Sequence, residues 1–164
     1  HERMMFQLLI DRIESTGNLE SQRLLTPATF DVTGKQTDTL ETLAELFEKI
    51  GIEVDTIGPN AAAVYAFPSL LFDRGVEPIA FVNELLDRAE ESSFNPSTEA
   101  ALHEVLDMMS CKAAVKAGDA LAEEELTELL RRKDEIERAS NCPHGRPTTV
   151  RLPLKELEKH FHRS

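Results

Sequence analysis

The sequence predicts an α+β fold, built from amphipathic helices and a few short strands. Several stretches place apolar residues at the spacing of one helix face. Residues 52–57 and 61–67 have strand-like patterns on either side of Gly58-Pro59-Asn60, which predicts an antiparallel hairpin. Because the helices and strands do not follow a regular β-α-β rhythm, an α+β arrangement is indicated.

The first half of the chain is predicted to begin with a helix over residues 2–14, which carries one strongly apolar face. An extended segment at residues 23–25 and a strand at residues 28–32 follow. A capping box over residues 37–41 predicts the start of a second helix, and Gly51 is expected to end it.

Two further helices are predicted in the middle of the chain. Pro78 suits the first turn of one helix, and Ser97 is the expected N-cap of the other. Cys111 falls near the end of this second helix.

The last part of the chain is predicted to hold a helix over residues 123–138, a strand over 148–152 and a terminal helix over 154–162. The charged face of the first of these helices is expected to be solvated. Four of its apolar residues are expected to point inward: Leu126, Leu129, Leu130 and Ile136.

The composition excludes some functions. A formal net charge of −12 predicts that the chain binds duplex DNA poorly by itself, because phosphate binding needs clustered Lys and Arg. The longest apolar runs fall well short of the ~20 residues that span a bilayer. The sequence starts at His1 and enters an apolar helical pattern at once, which we interpret as a fragment of a longer protein.

The segment Asn141-Cys142-Pro143-His144-Gly145-Arg146-Pro147 predicts a rigid loop, because proline restricts the backbone and glycine permits unusual dihedrals. In extended backbone, residues two apart leave on the same side, so Cys142 and His144 can converge on one ion. Thiolate and imidazole suit zinc or another borderline metal. A simple Pro/Gly turn with incidental polar residues is the alternative.

Four stretches, in order, resemble motifs of the C-terminal region of MutL-type DNA mismatch repair proteins. Cys142–Pro147 is similar to the family's Cys-Pro-His-Gly-Arg-Pro motif. His1-Glu2-Arg3 resembles the end of its Asp-Gln-His-Ala-x-x-Glu motif, and Met109–Lys112 its Ala-Cys-Lys/Arg motif. Gln22–Pro27 resembles its sliding-clamp-binding segment.

This resemblance implies a dimerisation subdomain into which a regulatory subdomain of helices and strands is inserted. Residues 1–20 and 142–164 would form the dimerisation part, with upstream strands missing, and residues 21–141 the insertion. It also implies an N-terminal ATPase domain elsewhere in the full protein. We expect a homodimer whose interface uses the first helix and the C-terminal strand and helix, because the face containing Met5, Phe6, Leu9 and Ile10 is too apolar to leave in water.

The resemblance further implies a metal-dependent DNA-nicking site that holds Zn²⁺, Mn²⁺ or both. Glu2, Cys142 and His144 would be catalytic ligands. Cys111 is another candidate ligand, although a buried cysteine on an amphipathic helix is usually just a small apolar residue. Two cations, Lys112 and Arg146, are candidates for contacting DNA phosphate. The family motif places a second glutamate where this chain has Gln7, and an amide cannot serve as a general base.

The clamp-like motif implies docking on the replication sliding clamp through Gln22, Leu24, Leu25 and Pro27. The alternative is that both leucines are ordinary core residues of this domain. Docking requires Gln22 and at least one leucine to be accessible.

The resemblance leaves two functions open. One is a nicking endonuclease domain, and the other is a non-catalytic dimerisation and clamp-docking module with a structural or vestigial metal site. Other expected partners are the mismatch-recognition protein MutS and, with the rest of the protein, duplex DNA. The expected location is the bacterial cytoplasm in association with the nucleoid, with no membrane partner.

Overall fold

A computed structural model describes residues 2–114 and the single residues 123, 126, 127, 130, 131 and 153. Residues 2–114 form a mixed α+β fold, which confirms the predicted class. The elements in chain order are α1 (Glu2–Thr16), β1 (Ser21–Asp31), α2 (Gly34–Thr42), α3 (Ala44–Ile50), β2 (Glu53–Gly58), β3 (Ala61–Pro68), α4 (Ser69–Asp73), α5 (Pro78–Ala89) and α6 (Glu99–Ala113).

The three strands form one antiparallel sheet in the order β1-β3-β2. The predicted hairpin is confirmed, since β2 and β3 pair from Glu53 opposite Ala66 to Gly58 opposite Ala61. The extended segment and the strand predicted at residues 23–25 and 28–32 belong to one strand, β1. Because β3 is central, six of its eight residues are buried.

The helix predicted before Gly51 begins earlier than expected. Thr33 is the N-cap. Its hydroxyl accepts from the backbone N–H of Gln36 at 3.2 Å, and the side-chain oxygen of Gln36 accepts from the backbone N–H of Thr33 at 3.0 Å. The capping box predicted over residues 37–41 is therefore wrong, because Thr33-x-x-Gln36 matches the same pattern first. Leu43 interrupts the helix and separates α2 from α3. Gly51 ends α3 with φ of 83°, as predicted.

Pro78 occupies the first turn of α5 as predicted, and the Glu77 carboxylate caps this helix by accepting from the Ile79 and Ala80 N–H groups at 3.2 and 2.7 Å. The N-cap of α6 is Thr98, whose hydroxyl accepts from the Ala101 N–H at 3.2 Å. The prediction of Ser97 as the N-cap was wrong by one residue, because serine and threonine are both favoured at this position. The short helix α4 was not predicted.

One hydrophobic core joins α1 to the rest of the described chain, from Leu9 through the sheet to Met109. At its centre, the rings of Phe67 and Phe81 meet edge to face at 5.9 Å. The core crosses the predicted subdomain boundary after residue 20. The division into 1–20 with 142–164, and 21–141, stays a prediction, since all of residues 142–164 except 153 lie outside the described residues.

Arg88 joins α5 to α6 across their connection. Its guanidinium donates to both carboxylate oxygens of Glu104, forms a 2.6 Å ion pair with Glu91 and lies 5.4 Å from the Phe94 ring centroid. The hydrogen bond to Glu104 raises the pKa of Arg88, and the charges of Glu104 and Glu91 add to it against desolvation. Arg88 therefore connects α5 both to α6 and to the segment between the two helices.

Leu126 and Leu130 lie in helical backbone but are 45% and 57% exposed. The prediction that they point inward is therefore wrong. An apolar spacing shows which residues share a helix face, but it does not show that another element covers that face. Leu129 and Ile136, the strand predicted over 148–152 and the helix over 154–162 lie outside the described residues. In the described part of the chain, no helix is long and apolar enough to cross a membrane.

Candidate functional site

The Gln22–Pro27 segment lies where β1 departs from regular pairing with β3. Arg23 is opposite Ala66 and Ala28 is opposite Val64, with the register shifting between them. Four residues of β1, 24–27, thus face a single residue of β3, Tyr65. Such a bulge bends the strand and turns side chains away from the regular sheet.

The bulge exposes most of the motif. Leu25 has a relative exposure of 106%, and Gln22 and Pro27 are also exposed. Leu24 is half-buried and packs against the hydrophobic core. The accessibility that docking requires is therefore present for Gln22 and for one leucine. The interpretation of both leucines as core residues is wrong for Leu25 and holds only in part for Leu24.

An ion pair crosses the sheet just before the bulge. Arg23 on β1 and Glu53 on β2 are both opposite Ala66, and Arg23 Nη1 lies 2.8 Å from Glu53 Oε2. Both side chains are more than half exposed. No local sequence signal indicates this pair, because its two residues are thirty positions apart and meet only through the strand register.

The predicted metal ligands fall into two groups. Glu2, in the first turn of α1, and Cys111, near the end of α6, are both half-buried. Cys142, His144 and Arg146 lie outside the described residues. Among the described residues no group of three or more His, Cys, Asp or Glu could hold a metal ion. These residues alone make no metal centre, so the predicted site depends on Cys142 and His144.

Lys112 is held by neighbouring side chains at the end of α6. Its Nζ lies 2.7 Å from Glu84 Oε2 and 5.9 Å from the centroid of the Phe81 ring, both on α5. About a third of the side chain is exposed. A phosphate would have to compete with Glu84 for this ammonium.

Gln7, at the position where the family motif has its second glutamate, is engaged within α1. Its amide nitrogen donates to Asp11 Oδ1 at 2.9 Å, one helical turn further on. A glutamate in its place would set two carboxylates at i and i+4, a repulsive spacing on a helix.

The apolar face of α1 is partly covered by the chain itself. Met4 and Leu9 are buried, while Met5, Phe6 and Ile10 pack partly against the core. The strongest helix partner of α1 is α6. This face of α1 is therefore less exposed than its sequence predicts.

His103 on α6 contacts α1. It is half-buried, its ring meets Phe6 edge-on at 5.9 Å, and its Nε2 lies 3.6 Å from Glu99. The Arg3 guanidinium lies 5.9 Å from the Phe6 centroid. The contact between Phe6 and His103 attaches the first half of α1 to α6.

An open groove of about 520 Å³ lies along the other side of α1. Its lining includes Leu8, Leu9, Leu19, Pro68 and Leu70. Leu8 is a large apolar residue of α1 with a relative exposure of 37%. The groove leaves an apolar surface beside α1 open to solvent.

Comparison with known proteins agrees with these features. The family model described as the MutL C terminal dimerisation domain matches residues 1–121. Proteins named DNA mismatch repair protein MutL are similar over 98% of this chain: 36% identical in Pseudomonas putida (strain GB-1), 31% in Chromohalobacter salexigens and 33% in Neisseria meningitidis serogroup B. The chain spans about a quarter of the length of these curated relatives. It belongs to the MutL C-terminal dimerisation domain family of DNA mismatch repair proteins.

Proposed function

We propose that this chain is the dimerisation domain of a mismatch repair protein and that it docks on the replication sliding clamp through Gln22–Pro27. The observation that carries the docking proposal is Leu25, which is 106% exposed on a bulge of β1. A large apolar side chain held in water is unfavourable unless a partner buries it. Complete burial of such a leucine contributes about 1.5–3 kcal/mol.

The charge of the chain supports a need for such a partner. At a net charge of −12, the domain is repelled by DNA phosphates. A clamp that already encircles the duplex would hold the domain at high effective concentration near its substrate without requiring a basic surface. The exposed Gln22 amide supplies a hydrogen-bonding group beside the apolar anchor.

The test is clamp binding by the full-length protein that carries this chain. Leu25→Ala and Gln22→Ala are expected to weaken binding, Leu25→Ala by about tenfold or more if the side chain is buried in the complex. Ile57→Ala is the matched control, because Ile57 is a half-exposed apolar residue on the opposite edge strand. Equal clamp affinity for Leu25→Ala and Ile57→Ala would refute the docking proposal.

The dimer is proposed to be a homodimer whose interface includes α1 and the predicted C-terminal strand and helix. The family description and the exposed Leu8 beside the apolar groove support this assignment. Leu8→Asp is expected to shift the full-length protein toward monomer in sedimentation velocity, whereas Leu25→Asp is not. A dimer that is indifferent to both changes would exclude this face of α1 from the interface.

A metal-dependent nicking endonuclease is the second candidate function, favoured by the Cys142-Pro143-His144 spacing together with Glu2. Carboxylate, thiolate and imidazole donors suit Zn²⁺, while Mn²⁺ better suits phosphate oxygens and carboxylates. A bound metal would lower the pKa of water to about 7 and stabilise the leaving group. Cys111 is a further candidate ligand, and Lys112 and Arg146 are candidate phosphate contacts.

Two measurements on the full-length protein distinguish catalysis from the alternative, a docking module with a structural or vestigial metal site. Cys142→Ser and His144→Ala are expected to reduce bound zinc, and unchanged stoichiometry would refute the metal site. Nicking of supercoiled plasmid with Mn²⁺ is then compared for wild type, Gln7→Glu and Asp11→Asn. Nicking that is absent from all three proteins, with zinc still bound, would favour the non-catalytic module.

The remaining assignments concern the whole protein, of which this chain matches about a quarter by comparison with its relatives. We propose that the full protein carries an N-terminal ATPase domain, interacts with the mismatch-recognition protein MutS and acts on duplex DNA in the bacterial cytoplasm near the nucleoid. Co-purification with MutS on mismatched DNA, with matched duplex as the control, tests the partner assignment.

A further inference from the structure

The two leucines of the docking segment have different environments. Leu24 packs against the domain core, while Leu25 is fully exposed. Because Leu24 is turned toward the core and Leu25 toward solvent, one groove on a partner cannot accept both while the segment remains in the sheet. If both leucines anchor the complex, the segment has to move.

Three residue pairs connect this end of β1 to β3. Ser21, Gln22 and Arg23 pair with Pro68, Phe67 and Ala66, and regular pairing stops at Arg23. At this last paired residue, the 2.8 Å contact between Arg23 and Glu53 crosses the sheet above Ala66. This ion pair therefore lies directly before the bulge.

We propose that residues 21–27 dock by peeling away from β3, and that the Arg23–Glu53 ion pair is a latch that restrains this movement. The inference rests on the proposed docking of Gln22–Pro27 on the sliding clamp. Peeling frees Leu24 to enter the same groove as Leu25. The rest of the sheet keeps its shape, because β3 stays paired with β2 along its other edge and with residues 28–31 of β1.

The latch is weak enough to open. Both side chains are more than half exposed, and ion pairs of this kind favour the closed arrangement by about two- to fivefold. Leu24 exchanges one apolar environment for another when it docks, so its removal from the core is compensated in the complex. The closed state lowers the apparent affinity for the clamp, because only the fraction of molecules in the open state can bind.

The first experiment measures clamp affinity of the full-length protein with Glu53→Gln. Opening the latch is expected to raise affinity by about two- to fivefold. Asp55→Asn is the matched control, since it removes the same charge from an exposed position on the same strand and is expected to change little. The gain should also vanish in an Arg23→Gln background. An unchanged or lower affinity for Glu53→Gln, or an equal gain for Asp55→Asn, overturns the latch.

The second experiment locks the strand. Arg23 and Ala66 are direct antiparallel partners, and the Cα separation of such pairs lies within the range that a disulfide spans. In the double variant Arg23→Cys, Ala66→Cys, the oxidised protein is expected to lose at least tenfold in clamp affinity and to recover it on reduction. Peptide mass spectrometry identifies the intended crosslink against the native Cys111 and Cys142.

The outcomes separate this inference from the docking proposal. Equal clamp binding by the oxidised and reduced forms means that the segment docks while still in the sheet, which overturns peeling but leaves docking intact. If wild-type protein does not bind the clamp, or if Gln22→Ala and Leu25→Ala have no effect on binding, the docking proposal and the latch fail together.

Discussion

The strands β3 and β1 are neighbours in one sheet and have opposite environments. Six of the eight residues of β3 are buried, whereas none of the eleven residues of β1 is fully buried. The central strand is covered by its neighbours and by helices, while β1 lies at an edge and bulges outward. Stability is therefore expected to be concentrated in β3, whereas the sequence of β1 is less constrained by packing.

The largest effect on stability is expected at the centre of β3. Phe67→Ala removes a fully buried ring that packs on Phe81, and should lower the free energy of unfolding by about 3–5 kcal/mol. Phe72→Ala is the control, because Phe72 is 41% exposed and its loss should cost much less. Urea denaturation of the chain measures both. Similar losses for the two variants would break the assignment of stability to β3.

A smaller loss is expected where the start of β1 meets the end of α3. Gly51 has φ of 83°, and a Cβ there would lie 3.1 Å from the Leu19 carbonyl oxygen and 3.3 Å from that of Glu20. Gly51→Ala should therefore destabilise the chain by more than about 1 kcal/mol. Gly17→Ala has nearly the same φ, 85°, but open space around its Cβ, so it isolates the backbone effect. Equal losses would show that the close approach does not matter.

Capping of α6 should have an effect of about 1 kcal/mol. Thr98→Ala removes the hydroxyl that accepts from the Ala101 N–H, and such losses are typically about 0.5–2 kcal/mol. Ser97→Ala, one residue earlier, should leave the thermal midpoint nearly unchanged. If Ser97→Ala proved the more damaging change, the cap assignment would be wrong.

The smallest effect on stability is expected on the bulge itself. Leu25→Ala removes a side chain that is 106% exposed, so the free energy of unfolding should change by less than about 0.5 kcal/mol. Leu24→Ala should be more destabilising, because Leu24 packs on the core. A Leu25→Ala loss above about 1 kcal/mol would mean that β1 contributes to stability as β3 does, and would remove the contrast between the strands.

Local sequence signals predicted much of this fold. The apolar periodicity of α1 and α5 and the glycine after α3 each act within a few residues, and the structure confirms them. Capping was predicted less well, since neighbouring hydroxyl residues such as Ser97 and Thr98 compete for one position and tertiary packing decides between them. The exposure of Leu126 and Leu130 was missed for a related reason, because coverage of a helix face depends on distant parts of the chain.

The candidate site was predictable only as a segment. Gln22–Pro27 is visible in the sequence through its resemblance to a clamp-binding motif, but its bulge is a property of pairing with β3 and leaves no local signal. The ion pair between Arg23 and Glu53 likewise exists only because both residues align on Ala66. The strand register therefore determines which residues of the motif are exposed, and local residue propensities do not predict that register.

The bulge also makes the motif a removable insertion. Residues 24–27 oppose Tyr65 alone, so β1 carries three residues more than a regular ladder needs. Deleting three of the four would leave one residue opposite Tyr65 and keep every later side chain of β1 on its present face, whereas deleting one or two would leave the irregularity in place. A chain shortened by three residues should fold with the same sheet. The bulge could therefore hold a different short sequence, as long as an apolar residue is kept at the position of Leu24, which packs against the core.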